Sequence, residues 1–275
     1  MNGAVFQRWG EPGLGRPIAA PERALTRAAE PATSLAYAIG DIHGMDDLLA
    51  DMLAAIDADI AAHGLPATVV FLGDVVNRGP QTRQVLDRLV AGPNRPDQAW
   101  IVLRGNHEQA MLDAVTMGDE AIFRRWLKMG GMQALASYGG TRKHATPDRA
   151  RDLIDPSHVG FLATLPLTHV VGEHLFVHAG VEPGVPLDRQ RARKLTTIRG
   201  AFLKKSHGLP YVVVHGHTPA VGGPLLGPGR IGIDTGAYAT GILTALAIGP
   251  GGSDRRFLRV VARESRAGRG DARKR

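Results

Sequence analysis

Leu35-Ala36-Tyr37-Ala38-Ile39-Gly40-Asp41-Ile42-His43-Gly44 decides the fold: an apolar run ends at a glycine and opens into a polar loop that carries a carboxylate and an imidazole. A helix is expected over about residues 45–62. The pattern returns twice. Ala67-Thr68-Val69-Val70-Phe71-Leu72 leads into Gly73-Asp74-Val75-Val76-Asn77-Arg78-Gly79-Pro80 and a helix over about 81–91. Ala99-Trp100-Ile101-Val102-Leu103 leads into Arg104-Gly105-Asn106-His107-Glu108 and a helix from about 109. Strands that are apolar on both faces and alternate with helices pair in parallel in an α/β layer fold. Such sheets collect their chemistry at the carboxyl ends of the strands, where all three polar loops lie.

Outward from this core the character changes. Residues 109–165 read as mainly helical, a cap segment beside the sheet. From about 167 short strands appear, over 167–171, 175–177, 211–214, 230–233, 242–248 and 257–261, and are expected to build a second sheet packed on the first. Between them lie His178-Ala179-Gly180 and His215-Gly216-His217-Thr218, and residues 222–229 read as a glycine/proline connector. Residues 1–33 read as a flexible Pro/Gly/Ala-rich arm with one helical turn around 21–29. The catalytic domain is expected over 34–253, with a last strand and a basic tail over 254–275.

Composition narrows the function classes. The 275 residues include no cysteine, which excludes disulfides, thiolate metal sites and a cysteine nucleophile. The formal charge is +7, and residues 254–275 alone hold nine Lys/Arg against three Asp/Glu. The body is therefore near neutral, and no nucleic-acid partner is expected from a tail with no aromatic platform in its last basic cluster. No apolar run reaches the ~20 residues of a membrane helix, and the N-terminus has no apolar signal core; a cytoplasmic location is expected, with no membrane partner.

The polar loops together deliver Asp41, His43, Asp74, Asn106, His107, His178 and His215 or His217. Carboxylate, imidazole and amide oxygen suit Mn, Fe, Zn or Co. The set is too large for one tetrahedral ion and about right for two divalent ions, ~3.5–4 Å apart, sharing a carboxylate, the arrangement used for displacement at phosphorus. A phosphate also needs forked cationic donors; Arg78 and Arg104 lie in the loops.

In order, GDxHG, GDxxNRG, RGNHE, HAG and HGHT resemble the calcineurin-like metallophosphoesterases, and within them the phosphoprotein phosphatase branch, over about residues 35–248. Bacterial and phage-type serine/threonine phosphatases and symmetrical diadenosine tetraphosphatases belong to that branch. Ile231-Gly232-Ile233-Asp234-Thr235-Gly236-Ala237 is similar to the phage-type enzymes. The resemblance implies a layered α/β/β/α sandwich with two divalent ions, Mn first and Fe, Zn or Co as alternatives. Asp41 and His43 would bind the first ion, Asp74 would bridge, and Asn106, His178 and His217 would bind the second, with His215 behind them. Water activated by the ions would attack the phosphomonoester directly. His107 would be the general acid, and Arg199, in Thr197-Ile198-Arg199-Gly200, would be a third phosphate arginine beside Arg78 and Arg104.

One position departs. The family usually carries Asp where this chain has Asn77, which can orient His107 but supplies no charge to favour its imidazolium. The leading expectation is a serine/threonine protein phosphatase acting on phosphorylated protein. The alternative is a symmetrical dinucleoside tetraphosphatase or another hydrolase of small phosphate esters, for which Trp126 and Tyr138 are either base-stacking or core aromatics. A weakened metal- and phosphate-binding scaffold is the non-enzyme alternative. Asp234 is either a carboxylate behind a His ligand or strand-end turn chemistry.

Overall fold

The computed structural model describes residues 25–27 and 34–262. The strands are β1 Leu25–Arg27, β2 Leu35–Ile39, β3 Ala67–Phe71, β4 Gln98–Val102, β5 Thr168–Val171, β6 His174–Val177, β7 Val212–His215, β8 Leu225–Gly227, β9 Arg230–Gly232, β10 Ile242–Ile248 and β11 Arg255–Val261. The helices are α1 Asp46–His63, α2 Thr82–Ala91, α3 Asn106–Thr116, α4 Glu120–Trp126, α5 Met132–Ser137, α6 Pro147–Leu153, α7 Pro156–Thr164, α8 Ala192–Thr197, α9 Gly200–Lys204 and α10 Ala237–Thr240.

Among the described residues the strands form two sheets, ordered β11-β10-β2-β3-β4 and β1-β5-β6-β7-β9-β8. In the first, β2, β3 and β4 are parallel, with Ala38 opposite Val70 and Val70 opposite Ile101. In the second, β6, β7 and β9 are parallel, with Val177 opposite His215 and His215 opposite Gly232. Side chains alternate across each strand. Tyr37, Ile39, Val69 and Phe71 enter a core shared with α1 to α7, including Met52, Trp126 and Leu135. Ala36, Ala38 and Val70 face the other way and meet Phe176, Val214 and Ile231 of the second sheet. Small alanines on one inner face leave room for the Phe176 ring from the other, which interdigitates the sheets at close-packed density. On the far side, Leu175, Val177 and Val213 pack with Leu195, Ile198 and Phe202 under α8 and α9. The result is a four-layer helix/sheet/sheet/helix sandwich.

Several expectations change. Leu25–Arg27 is a strand paired in parallel with β5 rather than part of a helical turn; the rest of the arm and the basic tail beyond 262 lie outside the described residues. β10 and β11 do not join the second sheet. They return to the first, antiparallel, β10 beside β2 and β11 beside β10 at the edge. The connector over 222–229 contains β8, hydrogen-bonded to β9. Helix α3 begins at Asn106, so Asn106 and His107 sit in its first turn. Residues 106–164 are helical apart from short links, and their apolar faces share one continuous core with α1, α2 and the first sheet. No helix among the described residues is long and apolar enough to cross a membrane.

Candidate active site

The carboxyl ends of β2, β3, β4, β6 and β7 converge on one point between the sheets, and there the loops turn sharply. Every non-glycine residue with positive φ among the described residues lies in this cluster: His43 (47°), Asp74 (50°), Asn77 (70°), Arg78 (67°) and His217 (62°). Backbone held in this region costs on the order of 1–3 kcal/mol per residue and persists where surroundings over-determine it. Two glycines make the approach possible. A Cβ at Gly105 would collide with the Asp74 carboxylate, and one at Gly216 with that of Asp41.

Asp74 is the centre. Its Oδ2 lies 3.7 Å from His43 Nε2 and 3.9 Å from His107 Nε2, while its Oδ1 lies 3.4 Å from His178 Nε2. The two oxygens of one carboxylate thus face two separate groups of donors, His43 with His107 and His178 with His217. On the second flank His178 Nε2 is also 3.2 Å from Asn106 Oδ1 and 3.2 Å from His217 Nδ1. Asp41 accepts from the His217 backbone N–H (3.1 Å) and faces Asp234.

The donor chemistry fits cations. His43 Nδ1 and His178 Nδ1 lie 3.0 and 2.9 Å from the carbonyls of Val76 and Leu72. A carbonyl only accepts, so each ring carries its proton on Nδ1 and turns the Nε2 lone pair inward. Burial holds His43 down at about 3, His178 at about 4 and His217 at about 3, so all three stay neutral at pH 7. Burial, and then the charges of Asp234 and Asp74, raise Asp41 well above the ordinary carboxylate range. Asp74 is pushed up to about 7, by burial first and with Asp234 adding to it. Buried carboxylates that repel one another beside neutral imidazoles are the electrostatics of a site completed by positive ions.

Glu108 has no role in the motif reading, yet it anchors the cluster. It is fully buried, and its carboxylate accepts from the backbone N–H groups of Asp74 (2.8 Å), Gly105 (2.7 Å), Val75 (2.8 Å) and Val76 (3.2 Å). It ties the turn after β3 to the start of α3. The spacing of three between Gly105 and Glu108 is that of a helix capping residue, the signal that could have exposed it.

The His107 flank is built by a hydrogen-bonded chain. Trp126 Nε1, which can only donate, bonds Asn77 Oδ1 at 2.9 Å. That turns Asn77 Nδ2 toward His107 Nδ1 at 3.0 Å, while Arg78 Nη2 lies 3.3 Å from His107 Nε2. Both ring nitrogens face donors. A neutral imidazole can accept from one of them and an imidazolium from neither. Burial first, and then the neighbouring His43 and Arg78, press His107 well below its usual range. Gly130, at φ 97° in the π-helical turn Leu127–Gly131, accepts from the Arg78 backbone N–H at 3.3 Å and sets that arginine against the cluster.

Tyr238 is the aromatic side chain at the rim. It is 39% exposed, its ring lies 4.6 Å from the Arg78 guanidinium and 5.2 Å from the His43 ring, and its hydroxyl accepts from Arg78 Nη1. It comes directly after the Ile231–Ala237 stretch, in a chain with few aromatics. Trp126 and Tyr138, the aromatics considered for base stacking, are buried; Tyr138 Oη is 2.6 Å from His158 Nδ1.

Arg199 reaches the edge of the cluster, where its Nε donates to His217 Nε2 at 3.0 Å. Arg104 is not brought there: its guanidinium donates to Gln109 and to the carbonyls of Leu162 and Ala163 at the end of α7, for it leaves β4 on the helix-layer side. His215 does not share a face with His217. The turn at Gly216 and the positive φ of His217 separate them, and the His215 ring packs on Phe202 at 5.1 Å. Asp234 forms no hydrogen bond or ion pair with a histidine among the described residues; it accepts from the Gly236 N–H at 2.8 Å and faces Asp41.

The calcineurin-like phosphoesterase family model matches residues 36–238, the span that carries every one of these loops. The chain belongs to the calcineurin-like phosphoesterases. Curated relatives include the symmetrical bis(5'-nucleosyl)-tetraphosphatase of Janthinobacterium sp. (strain Marseille), 34% identical over 151 residues covering 54% of this chain and 44% of the relative. That of Paracidovorax citrulli is 35% identical over 156 residues, covering 55% of this chain and 46% of the relative. The matched stretch is thus less than half the length of these relatives. Among solved structures, a Saccharomyces cerevisiae protein serine/threonine phosphatase with similarity to human phosphatase PP5 matches with a TM-score of 0.53 at 15% identity, covering 90% of this chain and 86% of its own. At that identity the likeness is one of fold.

Proposed function

We propose that this phosphoesterase hydrolyses phosphoanhydride bonds of dinucleoside polyphosphates through a pair of divalent cations. The observation that carries the dinuclear reading is Asp74, whose two oxygens face two groups of imidazoles. In this reading Asp41 and His43 hold one ion, Asn106, His178 and His217 the other, and Asp74 both. The ions are Mn, or alternatively Fe, Zn or Co. Bound there, they supply the Lewis acidity that activates water and offsets charge at phosphorus. Arg78 and Arg199 grip the phosphoryl oxygens from either side of the cluster, and His107 presents its Nε2 to the leaving oxygen, a contact that carries a proton for an alkyl ester and is dispensable for an anhydride. Arg104, turned toward α7, has no part in this.

The substrate reading rests on the curated relatives, which carry tetraphosphatase names, whereas the serine/threonine phosphatase likeness is one of fold. Tyr238 adds an exposed aromatic ring beside the cluster, suited to a nucleobase. The test is purified metal-free protein loaded with Mn, Fe, Zn or Co in turn and assayed on diadenosine tetraphosphate, a phosphoserine peptide and p-nitrophenyl phosphate. Diadenosine tetraphosphate is expected to give the highest kcat/KM. A higher kcat/KM for the phosphopeptide would overturn the substrate reading, and turnover independent of metal would overturn the dinuclear one.

A further inference from the structure

A cavity of about 590 Å³ opens beside Arg199 and is lined by Arg191, Arg193, Lys194 and Thr197 as well. Its origin is local. Leu195 and Ile198 are buried under the second sheet, which turns the remaining face of α8 outward. On that face the chain places cations. Arg191 is paired with Glu182 at 2.9 and 3.0 Å. Arg193 and Lys194 form no ion pair with the described residues. Cations left unpaired around a concavity focus an attractive field for anions. The cavity also has a direct link to the reaction centre: Arg199 lines it while its Nε sits 3.0 Å from His217.

We infer that this cavity is a second anion subsite, holding the phosphates of the substrate that lie beyond the scissile bond. The inference rests on the dinucleoside polyphosphate reading and extends it. A monophosphate ester has no group to place there. A chain of consecutive phosphates does: one phosphoryl group lies at the Asp74 cluster, Arg199 contacts the chain at the junction, and Arg193 and Lys194 neutralise the phosphates farther along. The volume is that of an ordinary small-ligand site. Guanidinium groups suit the job because their forked donors match phosphate oxygens. A further basic surface patch, around Arg124, Arg125 and Lys128, has an internal Glu120–Arg124 pair and no residue in common with the cluster.

The experiment uses the full Mn-loaded chain and the Arg193→Glu/Lys194→Glu double variant, with Arg142→Glu as a charge control on the opposite helical layer. Two readouts are taken. The first is the Kd, by calorimetry, of a methylene-bridged, non-hydrolysable diadenosine tetraphosphate and of inorganic tripolyphosphate, each against orthophosphate. The second is KM for diadenosine tetraphosphate against KM for p-nitrophenyl phosphate. Exposed charge pairs are individually weak, so the double variant is expected to weaken both polyphosphates by on the order of tenfold and to raise the tetraphosphate KM by a similar factor. The ratio to the monophosphate probes should change by nearly as much, and should shrink in high salt. Arg142→Glu should leave the ratio alone. An unchanged ratio, or equal weakening of orthophosphate and tripolyphosphate, overturns the inference. Weakened tripolyphosphate binding in a chain that fails to hydrolyse diadenosine tetraphosphate would instead overturn the substrate reading and leave the subsite standing. Circular dichroism and Tm confirm that the double variant is folded.

Discussion

The two flanks of Asp74 are built in different ways. On the His43/His107 flank the two rings are oriented from the first sheet and its helix layer: Val76 sets His43, and the Trp126–Asn77 chain sets His107. On the His178/His217 flank the imidazoles arrive from the second sheet, yet His178 is oriented by the carbonyl of Leu72, just past the end of β3 in the first. The rings of one flank can be set within a single sheet and its helices, with only Asp41 beside them held from the second sheet, by the His217 N–H. The other exists only once the two sheets are apposed. Asp74 belongs to both, so its loss should be the most damaging change in the molecule. Asp74→Asn keeps the shape but removes charge from both flanks. Loss of several kcal/mol of transition-state stabilisation corresponds to on the order of a thousandfold or more in kcat. Elemental analysis should show metal falling from two ions per chain to one or none. Two ions retained with near-normal turnover would refute the shared-carboxylate picture.

In the proposed reaction His107 separates the flanks chemically, because the leaving group is assigned to it alone. His107→Gln is expected to lower turnover of an alkyl phosphate by ~10²–10⁴-fold, the usual worth of a general acid, with both ions still bound. The loss should be much smaller on a phosphoanhydride, whose leaving phosphate departs as a stable anion without a proton. The surroundings fit that expectation, for the donors around His107 disfavour its imidazolium. An equal loss on both substrates would show that His107 acts in binding.

Glu108 tests whether the flanks are mechanically joined. Glu108→Gln keeps one acceptor oxygen and points an amide N–H₂ at backbone donors. Leaving buried donors unsatisfied costs ~1–3 kcal/mol each, so Tm should fall by about 5–10 °C in a chain of this size. Metal affinity should weaken at both ions, since the turn that holds Asp74 and the start of α3 are released together. Weakening of one ion alone would separate the flanks after all.

Legibility from sequence divides along the same line. Strands β2, β3 and β4, their helices and the loop residues are readable because each motif is contiguous: the apolar run, the glycine and the polar loop residue lie within ten residues. The donor count already points to a carboxylate between two groups of imidazoles, the place that Asp74 takes. The features that escape depend on distant partners. Nothing local to 242–261 says that β10 and β11 return to β2, since an antiparallel strand pairs with whichever edge is free. Arg104 escapes because residues on a strand end can leave toward either layer, and its acceptors at 162 and 163 are far along the chain. Tyr238 and the Trp126–Asn77 bond likewise join residues far apart in the chain.

Proton competition offers a gentler probe of the pair of flanks. The metal-free carboxyls are held up, Asp74 to about 7 and Asp41 well above its usual range, so cations must displace protons from them. Binding therefore releases protons, and apparent affinity should fall as pH drops below about 7, by up to ~10-fold per pH unit for each proton displaced. The histidines do not offset this near neutrality, because His43, His178 and His217 are held at about 3 to 4 and are already free of protons. Calorimetry of Mn binding between pH 6 and 8 in buffers of differing ionisation enthalpy measures the proton count directly. A count of zero would mean that the carboxylates are ionised before metal arrives.

The smallest expected effect lies in one atom of the His107 flank. In Asn77→Asp, one carboxylate oxygen can still accept from Trp126 Nε1, so the side chain stays where it is. The other replaces the Nδ2 donor, 3.0 Å from His107 Nδ1, with an acceptor. The ring can then carry a proton on Nδ1, and an adjacent negative charge favours the imidazolium. The His107 pKa should rise, which moves the alkaline limb of the alkyl-phosphate pH–rate profile to higher pH. Turnover at pH 7 should increase by about 3–10-fold, the upper end being what a one-unit shift in that limb can give. On phosphoanhydride substrates the same substitution should do almost nothing. Identical profiles for wild type and variant on the alkyl ester would mean that the proton state of His107 is set by burial, His43 and Arg78 whatever stands at position 77, and that the departure from the family's aspartate is catalytically silent.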